Sequence, residues 1–384
     1  MLTESTENQM FHVEQSSFGV YIHVPFCKSK CGYCDFCRVT DLSLVDEYLR
    51  ALSDEVAGSP VTGLRPKTIY IGGGTPSVLG VRGVDKLLKI VNERLDLNAV
   101  EEFTVECNPD DVDDELSSVL VSAGVDRVSM GAQSLQDDML RFLGRRHTAD
   151  RVLRAVDSLR RAKIMNISVD CIFGLPELSG YDAETDFCRF VDLGVEHLSA
   201  YALSYESGSR FSRMVADGSL VPLYDDAVAD QYQKLTEVMA LAGYEHYEIS
   251  NFAKPGREAK HNSSYWSGVP YWGFGPAASS YHNGVRETNV ADVAEYIRSG
   301  GKRKELREVL STKDVYDETV MLRLRTSRGV SVCEVPTGMR SYFERKSANE
   351  VAVGNLELTR EGRFRIPEKR WFVSDGIIER LFAE

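Results

Sequence analysis

A cysteine-rich loop occupies residues 21–37, which read Tyr21-Ile-His-Val-Pro-Phe-Cys-Lys-Ser-Lys-Cys-Gly-Tyr-Cys-Asp-Phe-Cys37. An apolar, strand-like segment runs directly into three cysteines spaced C-x3-C-x2-C, namely Cys27, Cys31 and Cys34. Cysteine thiolates at such close spacings hold iron–sulfur clusters, usually four to a cubane. A set of three leaves one iron free to bind a group that is not protein, just as a catalytic zinc keeps one position open. The loop therefore predicts a cluster that takes part in chemistry.

Two other interpretations of these thiols stay open on the residues alone. A structural zinc ion would use Cys37 or His23 as its fourth ligand, and a secreted chain would pair its cysteines as disulfides. The segment from Met1 to Gln9 is polar and acidic and lacks the basic and apolar regions of a secretory signal. We therefore predict a cytoplasmic protein, in which disulfides are rare.

Length and charge restrict the class of protein further. A chain of 384 residues suffices for one barrel-sized domain and a smaller one. Its apolar runs are too short to span a bilayer, so we predict no transmembrane segment. The formal net charge of −13 repels polyanions, so we expect no nucleic-acid partner. The basic cluster at residues 302–307 is interrupted by Glu305 and is predicted to be a solvated helix face.

Short β-branched or aromatic runs alternate with longer amphipathic stretches from residue 19 to about 205. This pattern is typical of repeated βα units around a parallel sheet. The predicted strands are Gly19–Val24, Thr68–Ile71, Glu102–Glu106, Arg127–Met130, Asn166–Ile172 and His197–Leu203. The predicted helices lie near residues 43–57, 83–94, 113–123, 136–143, 149–162, 182–193 and 225–242.

Polar or glycine residues recur where these strands end. In chain order they are the cysteine loop, Gly72-Gly-Gly-Thr-Pro76, Glu106, Gly131-Ala-Gln133, Asp170 and Ser204. The carboxyl ends of the strands of a (β/α) barrel form one active site, whereas a doubly wound sheet would gather such residues at a single switch point. We therefore predict an α/β fold with an incomplete, TIM-like (β/α)6 barrel over residues 19–255, preceded by an N-terminal extension at 1–18.

The composition changes after Pro255, first to glycine and aromatic residues and then to charged segments. We predict a smaller, mostly helical α+β domain over residues 256–384. No low-complexity linker and no short repeat separates it from the barrel.

Several of the strand-end residues are candidates for binding a ligand. The three glycines from Gly72 remove every Cβ where a ligand could touch the backbone, although a tight turn is the alternative. Glu106 ends an apolar strand, where a buried charge needs a partner; capping of the following helix is the alternative. Arg145 could equally interact with a helix C-terminus.

Taken together, these motifs resemble the radical S-adenosylmethionine (SAM) proteins of the HemN/HemW family. The resemblance rests on the cysteine loop, Gly72-Gly-Gly-Thr-Pro76, Glu106-Cys-Asn-Pro109, Arg127-Val-Ser-Met-Gly-Ala-Gln-Ser134, Leu143-Gly-Arg-Arg-His147 and Asp170-Cys-Ile-Phe-Gly-Leu-Pro176. It implies that Cys27, Cys31 and Cys34 hold a [4Fe–4S] cluster whose open iron chelates SAM. One electron from the cluster then cleaves SAM to methionine and a 5′-deoxyadenosyl radical, while the protein holds and shields the cofactor.

The resemblance also implies which residues contact SAM. Tyr21, Gly73 and Glu106 match positions that bind a first SAM. The positions that hold a second SAM in the coproporphyrinogen dehydrogenase branch correspond to Tyr33, Gly74, Thr75, Gln133, Arg145, Asp170 and Ser204.

Three features place the chain closer to the haem-chaperone (HemW) branch than to the dehydrogenase branch. Only twenty residues precede Tyr21, fewer than the dehydrogenase branch uses around its substrate. The fourth cysteine, Cys37, lies one residue further along than in that branch, and it departs from the Asn expected in many HemW-like chains. Finally, the run from His261 to Trp266 resembles the H-N-x-x-Y-W motif of the haem-chaperone branch.

The same motif is chemically suited to haem. Histidine is a common axial ligand of haem iron, and Tyr265, Trp266, Tyr271 and Trp272 could cover a porphyrin face. An aromatic-rich junction with His261 as a hydrogen-bonded core residue is the alternative.

The leading hypothesis is a haem chaperone that binds a [4Fe–4S] cluster, SAM and haem and passes haem to haem-requiring apoproteins, with transient contact to membrane proteins. The second is oxygen-independent dehydrogenation of coproporphyrinogen III, and the third is a zinc-stabilised barrel that only binds. Whether SAM is cleaved, and hence whether the protein is an enzyme, is left open by the sequence.

Overall fold

Repeated βα units form the first half of the chain in the computed structural model, which describes residues 17–34, 39–176 and 181–384. Six parallel strands are β1 (Gly19–Val24), β2 (Thr68–Gly73), β3 (Glu102–Cys107), β4 (Arg127–Gln133), β5 (Asn166–Phe173) and β6 (His197–Ala202). Each strand begins at the residue that the sequence predicted, because β-branched and aromatic residues mark those starts. β1 also ends at the predicted residue, and the other five strands end one to three residues away from the predicted positions.

The helices of this half are α1 (Val45–Ala57), α2 (Gly80–Arg94), α3 (Asp114–Ser122), α4 (Asp137–Leu143), α5 (Ala149–Arg161), α6 (Ala183–Asp192), α7 (Arg210–Ala216) and α8 (Asp225–Leu241). All but α7 were predicted. The short helix α7 begins after Ser209, whose side chain accepts a hydrogen bond from the backbone NH of Ser212 and caps the first turn.

Alternation along the strands separates a helix-covered face from an inner face. On β1, Val20, Ile22 and Val24 are fully buried in the main hydrophobic core, where the helices cover the sheet. Tyr21 and His23 point to the opposite face, because successive side chains of a strand alternate. That opposite face carries the polar residues of the first half.

The six strands lie in chain order within one sheet of twelve strands. The other six are β7 (Glu245–Glu248), β8 (Asn251–Ala253), β9 (Tyr271–Phe274), β10 (Ser279–His282), β11 (Val285–Asn289) and β12 (Lys304–Val309). The sheet runs β12-β11-β10-β9-β1-β2-β3-β4-β5-β6-β8-β7, so β12 and β7 are its edges and it does not close within the described residues. The order of β1–β6 never reverses as a doubly wound sheet would. An incomplete barrel, as predicted, is confirmed.

Residues after 255 extend the same sheet. β9 pairs with β1 in parallel, with Gly19 opposite Tyr271 and Ile22 opposite Phe274. β10, β11 and β12 then add as antiparallel neighbours. The predicted boundary at residues 255/256 therefore coincides with no break in the hydrogen-bonded sheet, and the division into two domains stays a prediction.

The C-terminal part is mostly helical. Its helices are α9 (Lys260–Trp266), α10 (Val293–Ser299), α11 (Thr312–Leu324), α12 (Arg340–Ala352) and α13 (Ser374–Glu379). A small antiparallel sheet contains β13 (Val330–Ser331), β14 (Glu357–Leu358) and β15 (Arg363–Arg365). The imidazole of His246 on β7 stacks on Phe252 and meets the Trp371 ring edge-on, with centroids 4.1 and 4.3 Å away. This aromatic contact joins the C-terminal part to the large sheet.

The prediction of a helix face at residues 302–307 was wrong. Lys304–Val309 is the edge strand β12, and all six of its residues are exposed. Arg307 pairs with Glu287 on β11 at 3.0 Å. Charged side chains are common on edge strands, where they discourage pairing with other chains, so the mixed charges are explained without a helix.

Two predictions concern parts of the chain that lie outside the described residues. They are the N-terminal extension, except for its last two residues, and the role of Cys37. In the part that is described, no helix combines the length and the apolar character needed to cross a bilayer.

Candidate functional site

The cysteine loop follows β1 and is held in place at both sides. The NH of Cys27 donates to the carbonyl of Val39 at 3.1 Å, which closes the base of the loop. At its tip, the NH of Gly32 donates to the carbonyl of Leu143 at 3.1 Å, and the Gly32 carbonyl accepts from the NH of Phe211 at 2.9 Å. A Cβ on Gly32 would lie 2.4 Å from the Phe211 ring, so only glycine fits. Helices α4 and α7 therefore position the loop.

The three thiols line one cavity of about 520 Å³ at the carboxyl ends of the strands. The sulfur of Cys27 lies 3.5 Å from the Thr75 hydroxyl. A guanidinium NH of Arg145 donates to the sulfur of Cys31 at 3.4 Å, so a cation lies against a sulfur that would carry negative charge as a cluster ligand. Among the described residues, no three His, Cys, Asp or Glu side chains are grouped as ligands of a single metal ion.

The glycine turn after β2 allows close packing beside the cysteine loop. Gly73 has a φ of +110°, and a Cβ there would lie 2.6 Å from the His23 ring. A Cβ on Gly72 would lie 2.7 Å from the Glu106 carboxylate. Gly73 and Gly74 line the cavity, so their backbone is accessible to a ligand, which is the chemical use of glycine that the sequence predicted.

Glu106 is held by two hydrogen bonds at the end of β3. One carboxylate oxygen accepts from the Tyr70 hydroxyl at 2.6 Å and the other from the NH of Gly73 at 3.0 Å. Burial raises the pKa of Glu106 to about 7, and the nearby Asp170 adds to the rise, although both hydrogen bonds oppose it. A cationic ligand group in the cavity would favour the ionised carboxylate.

Asp170 on β5 is a second buried carboxylate of the same cavity. Burial raises its pKa to about 6, while hydrogen bonds from Ser199 and Ser129 and the positive charges of Arg127 and Arg145 oppose the rise. Two carboxyl groups whose pKa values are both raised therefore face the same cavity. Such a pair is suited to an ammonium group or to ribose hydroxyls.

Gln133 and Arg145 meet at an irregularity between β4 and β5. Gln133 has a φ of +69°, unusual for a residue with a side chain, and the pairing register shifts between Gly131 and Gln133. Arg145 donates to the Gly131 carbonyl at 2.6 Å. Its Nε is buried and has no hydrogen-bond partner within the described part of the chain. Strained backbone and an unpaired buried donor are both typical of ligand sites.

The cavity brings together most of the residues that the sequence singled out. Its wall includes Cys27, Cys31, Tyr33, Cys34, Gly73, Gly74, Thr75, Glu106, Gln133, Arg145, Asp170 and Ser204. Burial raises the pKa of Tyr33, with Arg145 opposing the rise and Cys31 adding to it, so its phenol stays protonated. The Thr75 hydroxyl donates to the Gly74 carbonyl at 2.6 Å.

Tyr21 does not line this cavity. It lines a second cavity of about 500 Å³ together with His23. The Tyr21 hydroxyl and the Nδ1 atom of His23 are hydrogen-bonded at 3.0 Å, and the His23 ring packs against Gly73. Tyr21 is therefore connected to the first cavity through His23 and through Tyr70, whose ring lies 6.2 Å away and whose hydroxyl bonds Glu106.

His261 lines neither cavity and is fully buried. Its Nδ1 is hydrogen-bonded to the Thr68 hydroxyl at 2.8 Å and its Nε2 to the Tyr265 hydroxyl at 2.7 Å. Thr68 and Glu102, which accepts from the His261 amide, are the first residues of β2 and β3, at the opposite end of the strands from the cysteine loop. Burial and the charge of Arg127 lower the pKa of His261 to about 3. Ligation of haem by His261 would require one of these bonds to break.

Sequence reasoning missed Tyr70, Ser199 and Phe211. Tyr70 precedes the glycine turn and alternates with the buried Ile69 and Ile71, so strand periodicity was an available signal that it faces inward with Gly72. No local pattern could identify Phe211, because it meets the cysteine loop only through the folding of a distant segment.

The first comparison with known proteins is a family model. The model described as the Radical SAM superfamily matches residues 21–187. These residues include the three cysteines of the loop, all of β1 but its first two residues, and β2–β5 with the strand-end residues through Asp170.

Several curated relatives are similar over most of the chain. The "Heme chaperone HemW" of Lactococcus lactis is 36% identical over 375 residues, which cover 96% of this chain and 98% of the relative. The protein of the same name from Bacillus subtilis is 39% identical and is matched over 81% of this chain and 84% of its own length. The one from Escherichia coli is 36% identical, over 69% of this chain and 70% of its own.

A solved structure shares the fold. The structure described as coproporphyrinogen III oxidase (HemN) from Escherichia coli superimposes with a TM-score of 0.82 and covers 100% of this chain and 94% of its own. Its sequence identity is 18%, so the likeness concerns the fold alone.

Proposed function

Since the chain belongs to the HemN/HemW family of radical SAM proteins, we propose that it is a haem chaperone that binds a [4Fe–4S] cluster, SAM and haem. The observation that carries this proposal is the similarity to curated haem chaperones over nearly the whole chain. It delivers haem to apoproteins such as respiratory enzymes, some of which are membrane proteins. We place it in the cytoplasm and assign it no nucleic-acid partner, in keeping with its net charge of −13.

In this proposal Cys27, Cys31 and Cys34 hold the cluster. The residues suit such a group, because three thiols face one cavity and the cation of Arg145 lies 3.4 Å from the sulfur of Cys31. The same wall contains Nε of Arg145, a buried donor that has no hydrogen-bond partner among the residues that the structure describes. When bound, the cluster supplies one electron to the sulfonium of SAM.

SAM occupies the same cavity, where the chain offers groups for each of its parts. Glu106 accepts from the ammonium group, and the accessible backbone of Gly73 approaches the methionine end. The second set surrounds the remaining space and is made up of Tyr33, Gly74, Thr75, Gln133, Arg145, Asp170 and Ser204. Tyr21 acts through His23, which packs on Gly73. We further propose that residues 19–255 are the radical SAM partial barrel, which holds these cofactors, and that residues 256–384 are a HemN-type C-terminal domain.

The test is anaerobic reconstitution of the full chain, followed by measurement of iron content, haemin binding, haem transfer and porphyrinogen turnover. We expect about four iron atoms per chain, stoichiometric haemin binding, and transfer of haem to a haem-free acceptor protein. Incubation with SAM, reductant and coproporphyrinogen III should yield no protoporphyrin after oxidation. Multiple turnovers would instead make the protein a porphyrinogen dehydrogenase and overturn the proposal.

A pair of cysteine variants isolates the cluster. Cys31→Ala removes one thiol of the loop and should abolish the iron content and the visible absorbance of the reconstituted protein. Cys188→Ala, which replaces an exposed cysteine on α6, is the matched control and should retain both. Equal iron contents in the two variants would refute the assignment of the loop.

A further inference from the structure

The second cavity, of about 500 Å³, lies between the sheet and helix α11 and has aromatic walls. Tyr265, Trp266, Tyr271 and Tyr281 line it. The rings of Tyr265 and Tyr271 meet edge to face with centroids 4.6 Å apart, and those of Tyr271 and Tyr281 are tilted at 6.3 Å. A pocket of this size, with large flat side chains, is suited to a planar apolar ligand.

One face of α11 completes the cavity. Val315, Thr319 and Leu322 line it at helical spacing, together with residues 318 and 323. The opposite face of the helix packs into the hydrophobic core through Tyr316 and Val320. Helix α11 therefore covers the core with one face and borders an open space with the other.

Charged and polar groups at the cavity favour an anion-bearing ligand. Arg286 makes a two-pronged ion pair with Glu318, at 2.8 and 3.0 Å, and its guanidinium lies over the Tyr281 ring. Arg323 is a second cation of the wall and pairs with Glu334 at 3.0 Å. The indole NH of Trp266 is buried there and has no hydrogen-bond partner in the described part of the chain. Each arginine is therefore paired with a carboxylate of the protein, and an acidic group of a ligand would compete for that position.

We infer that this cavity is the haem site of the protein, an inference that rests on the proposed function. The aromatic walls contact the faces of the tetrapyrrole, and Arg286 and Arg323 pair with its two propionates. Arginine is suited to this task because its fork matches a carboxylate. In the His261–Trp266 motif, Tyr265 and Trp266 touch the ligand, whereas His261 is a positioning residue that holds Tyr265 through the 2.7 Å bond.

Trp272 takes no part in this site, although its ring was a candidate for covering a porphyrin face. It lies on the other side of β9, where it packs edge to face on Phe18 at 5.2 Å. Its neighbour Tyr271 faces the cavity because successive residues of a strand alternate.

The experiment is a haemin titration of the anaerobically reconstituted full chain, followed by Soret absorbance. Thr319→Trp fills the cavity from α11 and should weaken haemin binding at least about tenfold. Met321→Trp adds the same ring to the solvent-facing side of that helix and should bind haemin like the wild type. Iron content and SAM binding, measured in parallel, should be unchanged in both variants and so report that each has folded.

A second experiment uses the ion pair between Arg286 and Glu318, because a folding defect would not produce the opposite effects expected of its two variants. Arg286→Gln should weaken haemin binding about tenfold, whereas Glu318→Gln should strengthen it, because it frees Arg286 and removes repulsion of the propionates. If Thr319→Trp binds haemin as tightly as the wild type does, the proposed site is wrong, whereas the proposed function still stands. A loss of affinity in both charge variants would also overturn the site. No haemin binding by the wild type would overturn both the site and the haem-chaperone function.

Discussion

The hydroxyl of Tyr70 donates a 2.6 Å hydrogen bond to the Glu106 carboxylate, which connects the middle of β2 to the end of β3. The ring of Tyr70 stacks on His261, with centroids 5.2 Å apart. Tyr70 thus contacts both Glu106, the carboxylate proposed to bind SAM, and His261, the histidine of the H-N-x-x-Y-W motif. Tyr70 therefore links Glu106, at the carboxyl ends of the strands, to His261, which lies near their amino ends.

Replacing Tyr70 with Phe should weaken SAM binding. The hydrogen bond from Tyr70 lowers the pKa of Glu106, so its loss should raise that pKa further above 7 and leave less carboxylate at neutral pH. We expect about tenfold weaker binding at pH 7 and a smaller difference at pH 9. Equilibrium dialysis with labelled SAM at several pH values measures this. The control is Tyr316→Phe, which loses a hydrogen bond to the carbonyl of Leu381. A loss of SAM affinity in Tyr70→Phe that is the same at every pH would contradict the explanation.

Ionisation of Glu106 should lower the stability of the SAM-free, cluster-free protein as pH rises from about 5 to about 8. The folded-state pKa of Glu106 is raised from 4.5 to about 7, so the folded protein holds a proton that the unfolded chain has lost. Glu106 therefore destabilises the fold progressively as pH rises through 7, by up to about 3 kcal/mol. Glu106→Gln should flatten this decline in urea unfolding.

Asp170 titrates in the same direction, because its pKa is raised to about 6, so part of the decline should remain in Glu106→Gln. Glu101→Gln replaces an exposed carboxyl group whose pKa is lowered by its hydrogen bond to Lys67. It should leave the decline in place. A difference in stability between the wild type and Glu106→Gln that does not change with pH would contradict the prediction.

Gly32→Ala should displace the cysteine loop. The added methyl group would lie 2.4 Å from the ring of Phe211, which is fully buried and cannot yield easily. We expect a loss of about 1–3 kcal/mol in stability and a lower iron content after reconstitution. Gly338→Ala, where no atom lies within 4 Å of the new methyl group, is the matched control. Partial recovery in a Gly32→Ala/Phe211→Leu double variant would identify the clash as the cause.

His261→Ala should destabilise the protein and weaken haem binding only indirectly. The variant loses hydrogen bonds to Thr68 and Tyr265 and leaves a buried void, which should reduce the free energy of unfolding by about 2–4 kcal/mol. Denaturant unfolding measures that loss. The haem that still binds should keep the wild-type Soret position, because His261 is a positioning residue and does not ligate the iron. A shifted Soret band would show instead that His261 ligates the iron.

Much of the barrel could be predicted because it depends on local periodicity. Alternation and turn residues marked the start of all six parallel strands. The parallel arrangement then required the residues after those strands to share one edge, so that Glu106, Gln133 and Asp170 line a single cavity. Prediction failed at residues 302–307, where charged residues are compatible with either a helix face or an edge strand and only pairing with β11 decides between them.

The sequence alone determined the thiol loop, the repeated βα units and the family, because each is expressed in spacings of a few residues. Only the tertiary structure decided the surroundings of Tyr21, His261 and Trp266. Thr68 and His261 lie 193 residues apart and yet share a hydrogen bond. The aromatic cavity exists because α11 leaves one face uncovered opposite β9 and β10. Such contacts follow from how distant segments pack, which no local pattern of residues encodes.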